Sequence, residues 1–192
     1  MSINNIEKYI FYTPNDKTNC CGFFCGNYFI TTAHQFMDGE VLTLYLETVK
    51  YELSKEKAVF IECEHKDDSL DLAIFKFENI NSPLTINDYY KPSKGDVLES
   101  ISHVRIADRV TELLKCDVTV TAINEDNYFG VESSKLLKPG SSGSPIFLDN
   151  KVVGIVAGGN VDDDGTQYTK EHPLNFCAIL KSEAIIKVLT RL

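Results

Sequence analysis

His34, Asp71 and Ser142 offer a general base, a carboxylate to orient it and a hydroxyl nucleophile, on three separate stretches of a 192-residue chain. Ser142 stands in Lys138-Pro139-Gly140-Ser141-Ser142-Gly143-Ser144-Pro145-Ile146-Phe147, a small-residue turn that runs into an apolar strand. Glycine reaches backbone conformations closed to other residues and lets a substrate approach closely, so Gly140 and Gly143 suit a turn that displays backbone N–H groups. An unassisted serine hydroxyl is nearly unreactive at neutral pH. Acyl transfer therefore needs a base to take its proton and donors to hold the developing oxyanion. A polar hairpin loop is the plain alternative for such a turn, and the company upstream decides between the two readings.

The elements that must position these groups are strands. Tyr28-Phe29-Ile30-Thr31-Thr32-Ala33-His34 is a β-branched and aromatic run that delivers a histidine at its end. Asp71 stands at the mouth of a second run, Leu72 to Phe77. His65, His103 and His172 lie in polar stretches or loops without that placement. Asp67 and Asp68 are close rivals of Asp71, but the apolar residues after Asp71 favour its burial, and a buried carboxylate needs a partner such as His34. Asp71 would then accept the second imidazole N–H and fix the tautomer. Alternating patterns predict further strands at residues 22–25, 41–46, 50–53 and 57–63, then at 109–124, 128–132, 144–148, 151–157 and 175–180. Residues 3–12 read as a short helix or a lead-in strand, 13–19 as a turn, 81–94 as a connection, and 181–192 as a closing helix.

Taken in order, Thr31-Thr32-Ala33-His34, Asp71-Leu72-Ala73 and Gly140-Ser141-Ser142-Gly143-Ser144-Pro145 resemble the motifs of the chymotrypsin-like serine peptidases. Gly95-Asp96-Val97-Leu98-Glu99-Ser100-Ile101, Gly154-Ile155-Val156-Ala157-Gly158-Gly159 and Asn175-Phe176-Cys177-Ala178-Ile179-Leu180 look like strands of HtrA-type members, and the motif style is also similar to bacterial glutamyl endopeptidases. The resemblance spans about residues 22–180 and implies an all-β domain of two six-stranded antiparallel barrels, about 9–80 and 95–180, with a C-terminal helix. It implies the triad His34, Asp71 and Ser142, and an oxyanion hole made by the N–H groups of Gly140 and Ser142. Ser141 and Ser144 are then neighbours of the nucleophile, not rivals. By the same resemblance Leu136 falls at the floor of the pocket for the residue before the scissile bond, P1. Val156 stands where glutamate-selective relatives carry histidine, and Ala157, Gly158 and Gly159 leave the wall open. An apolar or small P1 residue is expected, with an extended peptide pairing to the free strand edge.

Composition narrows the function. Hydrophobic residues make up 43% of the chain, enough for a substantial core, and the net charge of −9 comes without a basic stripe, so nucleic acid is not an expected partner. No apolar run approaches the roughly 18 residues that span a bilayer, and the N-terminus lacks a signal-peptide pattern. The chain reads as cytoplasmic. Six cysteines, Cys20, Cys21, Cys25, Cys63, Cys116 and Cys177, do not follow the disulfide spacing of secreted relatives, and Gln35 stands where those relatives carry a paired cysteine. Reduced thiols are expected. A zinc site from Cys20, Cys21 and Cys25 is disfavoured, since adjacent cysteines in a strand point to opposite faces. No metal or organic cofactor is expected, and the partner is a protein or peptide substrate. Two alternatives stand beside the serine endopeptidase. One is a protease effector module of a larger bacterial sensor or defence protein, held by a regulatory domain or activating partner; the other is a catalytically silent peptidase fold that binds peptides.

Overall fold

Period-two alternation of apolar residues over most of the chain gives half-buried strands, and the computed structural model builds thirteen of them among the described residues. It describes residues 6–14, 19–37, 39–63, 70–107, 110–124, 127–133, 140–159 and 176–192. A 3-10 turn, Glu7–Tyr9, leads into β1 (Ile10–Pro14), followed by β2 (Asn19–Cys25), β3 (Tyr28–Thr31), β4 (Leu42–Leu46), β5 (Val49–Leu53), β6 (Phe60–Glu62) and β7 (Leu72–Lys76). The second half holds β8 (Val97–Ala107), β9 (Val110–Ile123), β10 (Tyr128–Ser133), β11 (Pro145–Leu148), β12 (Lys151–Gly159) and β13 (Phe176–Lys181), and ends in α1 (Ser182–Leu189).

The second half is a closed barrel in the order β10-β13-β12-β11-β8-β9, filled by Leu98, Val118, Val120, Phe129, Val131, Ile146, Val153, Val156 and Ile179. In the first half, β1-β2-β3-β7-β6 form one five-stranded antiparallel sheet and β4–β5 a separate hairpin. This differs in detail from a six-stranded ring. Side chains hold the hairpin where the ladder does not: Leu42, Leu44 and Leu53 pack with Phe24, Phe29, Phe36 and Phe75, all at most 2% exposed. The ring centroids of Phe24 lie 5.1 Å from Phe29 and 5.3 Å from Phe77, at the spacing aromatic pairs favour.

A third apolar cluster fastens the halves together. Ile10, Phe23, Ile30, Leu72 and Ile74 of the first meet Ile101, Phe147, Val152, Ile155 and Leu180 of the second, and α1 adds Ala184, Ile185 and Val188. Each fully buried Val, Leu, Ile or Phe of this cluster contributes roughly 1.5–3 kcal/mol, so the seam itself stabilises the joining of the halves. The connection between them is also tied down. Ser82 N–H donates to Gly26 O at 2.8 Å and Asn87 N–H to Val152 O at 2.7 Å. The predicted lead-in resolves into a 3-10 turn and a strand that runs on through Pro14, because its ladder to β2 extends from Ile10↔Phe23 to Pro14↔Asn19.

Candidate active site

Antiparallel pairing of β3 with β7 brings His34 to Asp71. Thr31 faces Ala73 in the register, so the end of one strand meets the start of the other. His34 opens a 3-10 turn just past β3, and Asp71 immediately precedes β7. His34 Nδ1 lies 2.6 Å from Asp71 Oδ2. Asp71 Oδ1 accepts the backbone N–H of Ala33 at 2.9 Å and of His34 at 2.8 Å. With the Nδ1 proton committed to the carboxylate, Nε2 carries the lone pair a general base needs. The imidazole is 34% exposed and the carboxylate 18%, so the base reaches the surface while its partner stands behind it. The backbone N–H of Asp71 crosses the seam to donate to the hydroxyl of Tyr128, in β10, at 2.9 Å.

The serine turn is gripped from both halves. Cys21 N–H donates to Ser142 O at 2.7 Å, Gly143 N–H to Val156 O at 2.8 Å, Ser144 N–H to Ser141 O at 3.0 Å, and Val156 N–H to Ser144 O at 2.9 Å. Thr31 Oγ1 braces the first of these by donating to Cys21 O at 2.6 Å. Gly143 has φ 82°, and a Cβ there would stand 2.0 Å from Cys21 O and 2.7 Å from Thr31 Oγ1, so only glycine fits. Gly140 is also left-handed, at φ 98°. The turn therefore rests on Cys21 and Thr31, three residues before His34. Among the described residues none accepts the N–H of Gly140 or Ser142, the two groups expected to hold an oxyanion.

Downstream, β12 pairs with β13 from Gly154↔Lys181 to Gly159↔Cys177, with an irregularity between Val156 and Gly158. Val156 is 2% exposed and belongs to the interior of the barrel; its backbone clamps the serine turn. Ala157 is buried, and a Cβ added at Gly158 would meet nothing within 4 Å. Leu136, expected at the pocket floor, lies outside the described residues, as do His65, Asp67, Asp68 and His172. His103 sits in β8, where burial lowers the pKa of its imidazole below the ordinary value.

Three groups near this site carry weight that the sequence did not reveal. Tyr128 is one. Gln35 is another: its side-chain Nε2 is hydrogen-bonded to His34 Nε2, and its Oε1 is buried without a partner among the described residues. Among the described residues no hydrogen bond joins the Ser142 hydroxyl to His34. The third is the tie of Cys21 to β8, while Cys20 and Cys21 lie, as expected, on opposite faces of β2. Cys20 Sγ meets Thr13 Oγ1 at 2.8 Å, while Cys21 Sγ donates to His103 O at 2.9 Å and accepts His103 N–H at 3.1 Å. Cys25 Sγ turns instead to Leu84 O, at 3.2 Å. The three sulfurs thus have separate partners, and among the described residues no group of His, Cys, Asp and Glu could hold a metal ion. Burial pushes the Cys20 thiol up to about 11 and that of Cys21 to about 12.

No protein-family model matches the chain, and no curated protein matches it in sequence. Its structure does find likenesses. A serine endoprotease from Yersinia pestis superposes with a TM-score of 0.71 at 18% identity, over 98% of this chain and 64% of the other. Rv3671c from M. tuberculosis, in a mutant inactive form, gives 0.67 at 15% identity, over 98% of this chain and 88% of the other. The catalytically active tobacco etch virus protease complexed with product gives 0.67 at 14% identity, over 99% and 80%. At these identities the likeness establishes the fold: the chain has the chymotrypsin-like architecture expected from its motifs. No helix of the described residues is long and apolar enough to cross a membrane.

Proposed function

We propose that the chain is a serine endopeptidase in which His34, Asp71 and Ser142 act as base, orienting carboxylate and nucleophile. The observation that carries this reading is the carboxylate of Asp71, which takes the His34 ring and the His34 and Ala33 backbone N–H groups together. A carboxylate that merely needed a counter-charge would not have to fix both the ring and the backbone of one histidine.

In the first step Ser142 Oγ attacks the carbonyl carbon of an extended peptide while its proton passes to His34 Nε2. The imidazolium formed is stabilised by Asp71, and the oxyanion of the tetrahedral intermediate by the N–H groups of Gly140 and Ser142. Collapse breaks the C–N bond, His34 gives its proton to the leaving amine, and the acyl group stays on Ser142. Water, activated by the same histidine, then releases the acid and restores the serine. The edge of β12 at Ala157, Gly158 and Gly159 would receive the substrate backbone, and the open space at Gly158 leaves room beside the P1 residue, for which an apolar or small side chain is proposed.

Cleavage of a denatured-protein peptide library, read by mass spectrometry, tests the reading. New termini following apolar or small residues, absent with Ser142→Ala, are expected. Cleavage after Arg, Lys or Glu would show that the pocket is assigned wrongly. Cleavage that survives Ser142→Ala would show the same of the nucleophile.

A further inference from the structure

Building on the serine peptidase reading, we propose that Gln35 is a gate on the general base. Its carboxamide closes His34 Nε2 in the resting chain and must turn away before Ser142 can deliver its proton. The imidazole has one lone pair for proton transfer once Nδ1 is engaged by Asp71 at 2.6 Å. Gln35 Nε2 takes that lone pair as a hydrogen-bond donor. Two donors cannot use it at once, so the serine hydroxyl and the carboxamide compete for the same nitrogen.

The surroundings of Gln35 suit a side chain that swings while its backbone stays. The 3-10 turn is fixed by Phe36 N–H donating to Ala33 O at 2.9 Å and Met37 N–H donating to His34 O at 3.4 Å. Phe36, 1% exposed, anchors it against Phe75 with ring centroids 5.5 Å apart. Opening therefore asks only for rotation about the Gln35 side-chain bonds. The closed position is also incompletely satisfied. Gln35 is 7% exposed, and its Oε1 is buried with no donor among the described residues. Leaving such an oxygen buried and unpaired costs more than a typical hydrogen bond contributes, so a rotation that carries Oε1 to solvent or to a donor relieves that cost. An enzyme whose competent state is only fractionally populated reacts more slowly by that fraction.

The test uses Gln35→Met, which keeps an unbranched side chain of the same length and removes both amide groups, with Gln35→Ala as a second variant. The wild type, both variants and Ser142→Ala are incubated with a fluorophosphonate and labelling is followed by intact mass, with circular dichroism confirming the fold. In parallel, the 15N shift of His34 Nε2 is measured in the wild type and in Gln35→Met. The gate requires the His34 Nε2 resonance to move between the two, and Ser142 labelling to be about ten-fold faster or more in Gln35→Met than in the wild type. Equal or slower labelling in folded Gln35→Met, or an unmoved resonance, would overturn the gate and leave the peptidase reading intact. No label on the wild type or on either variant would remove the peptidase reading, and the gate with it.

Discussion

Asp71 holds His34 through two hydrogen bonds and Ala33 through a third, and its own N–H is held by Tyr128, so the proposed triad can be tested from both ends. Asp71→Asn keeps the shape but loses the charge that stabilises the imidazolium and the preference for the working tautomer. Acylation of Ser142 should fall on the order of ten-thousand-fold with the fold retained, as measured by labelling rate alongside circular dichroism. Tyr128→Phe leaves the Asp71 N–H without its acceptor. Because the tyrosine positions the triad from across the seam, kcat should drop roughly ten-fold while KM holds. A rise in KM alone would assign Tyr128 to substrate binding instead. The meeting of His34 with Asp71 was legible in the sequence because one stands at the end of a strand and the other at the start of the next, and Ser142 was singled out only by its glycine turn. Tyr128 and Gln35 were not. Tyr128 is 57 positions from the residue it supports, and the direction of the Gln35 side chain depends on packing that no local pattern encodes.

At the scale of elements, the two glycines of the cleft should behave oppositely. Gly143→Ala forces a Cβ to 2.0 Å from Cys21 O at a left-handed φ, and should cost roughly 2–4 kcal/mol of stability in urea unfolding. Gly158→Ala meets open space and should leave stability within about 0.5 kcal/mol. Its effect belongs instead on the substrate, as a fall in kcat/KM for bulky P1 residues. If both variants unfold alike, the serine turn is not braced by Cys21 as described. Most of these elements followed from the strand patterns and the closing helix from its apolar spacing, although β8 runs on to Ala107, past the expected end at residue 101. The separate β4–β5 hairpin did not. Strand patterns identify strands, but whether neighbouring edges hydrogen-bond is decided by how the aromatic core of Phe24, Phe29 and Phe36 fills the space between them.

For the molecule as a whole, the buried thiols give stability a dependence on pH. Burial raises the pKa of Cys20 to about 11, and those of Cys21 and Cys177 to about 12. An unfolded thiol ionises near 8.5, so between that pH and the folded values the unfolded chain holds fewer protons. The stabilisation from these groups is fully present below about pH 8.5 and is lost as pH rises toward the folded values. Urea midpoints should therefore fall from pH 8 to pH 10, and less steeply in Cys177→Ala than in the wild type; equal slopes would count against burial as the cause. The central claim is that two halves joined by one apolar seam bring the serine of one to the histidine and aspartate of the other. Intact mass after prolonged fluorophosphonate exposure tests it most directly, with wild type, Gln35→Met, Ser142→Ala and His34→Ala compared. One adduct on wild type and on Gln35→Met, mapped to Ser142 and missing from both Ser142→Ala and His34→Ala, is the expected result. No adduct on either wild type or Gln35→Met, or one that persists in Ser142→Ala, would contradict it.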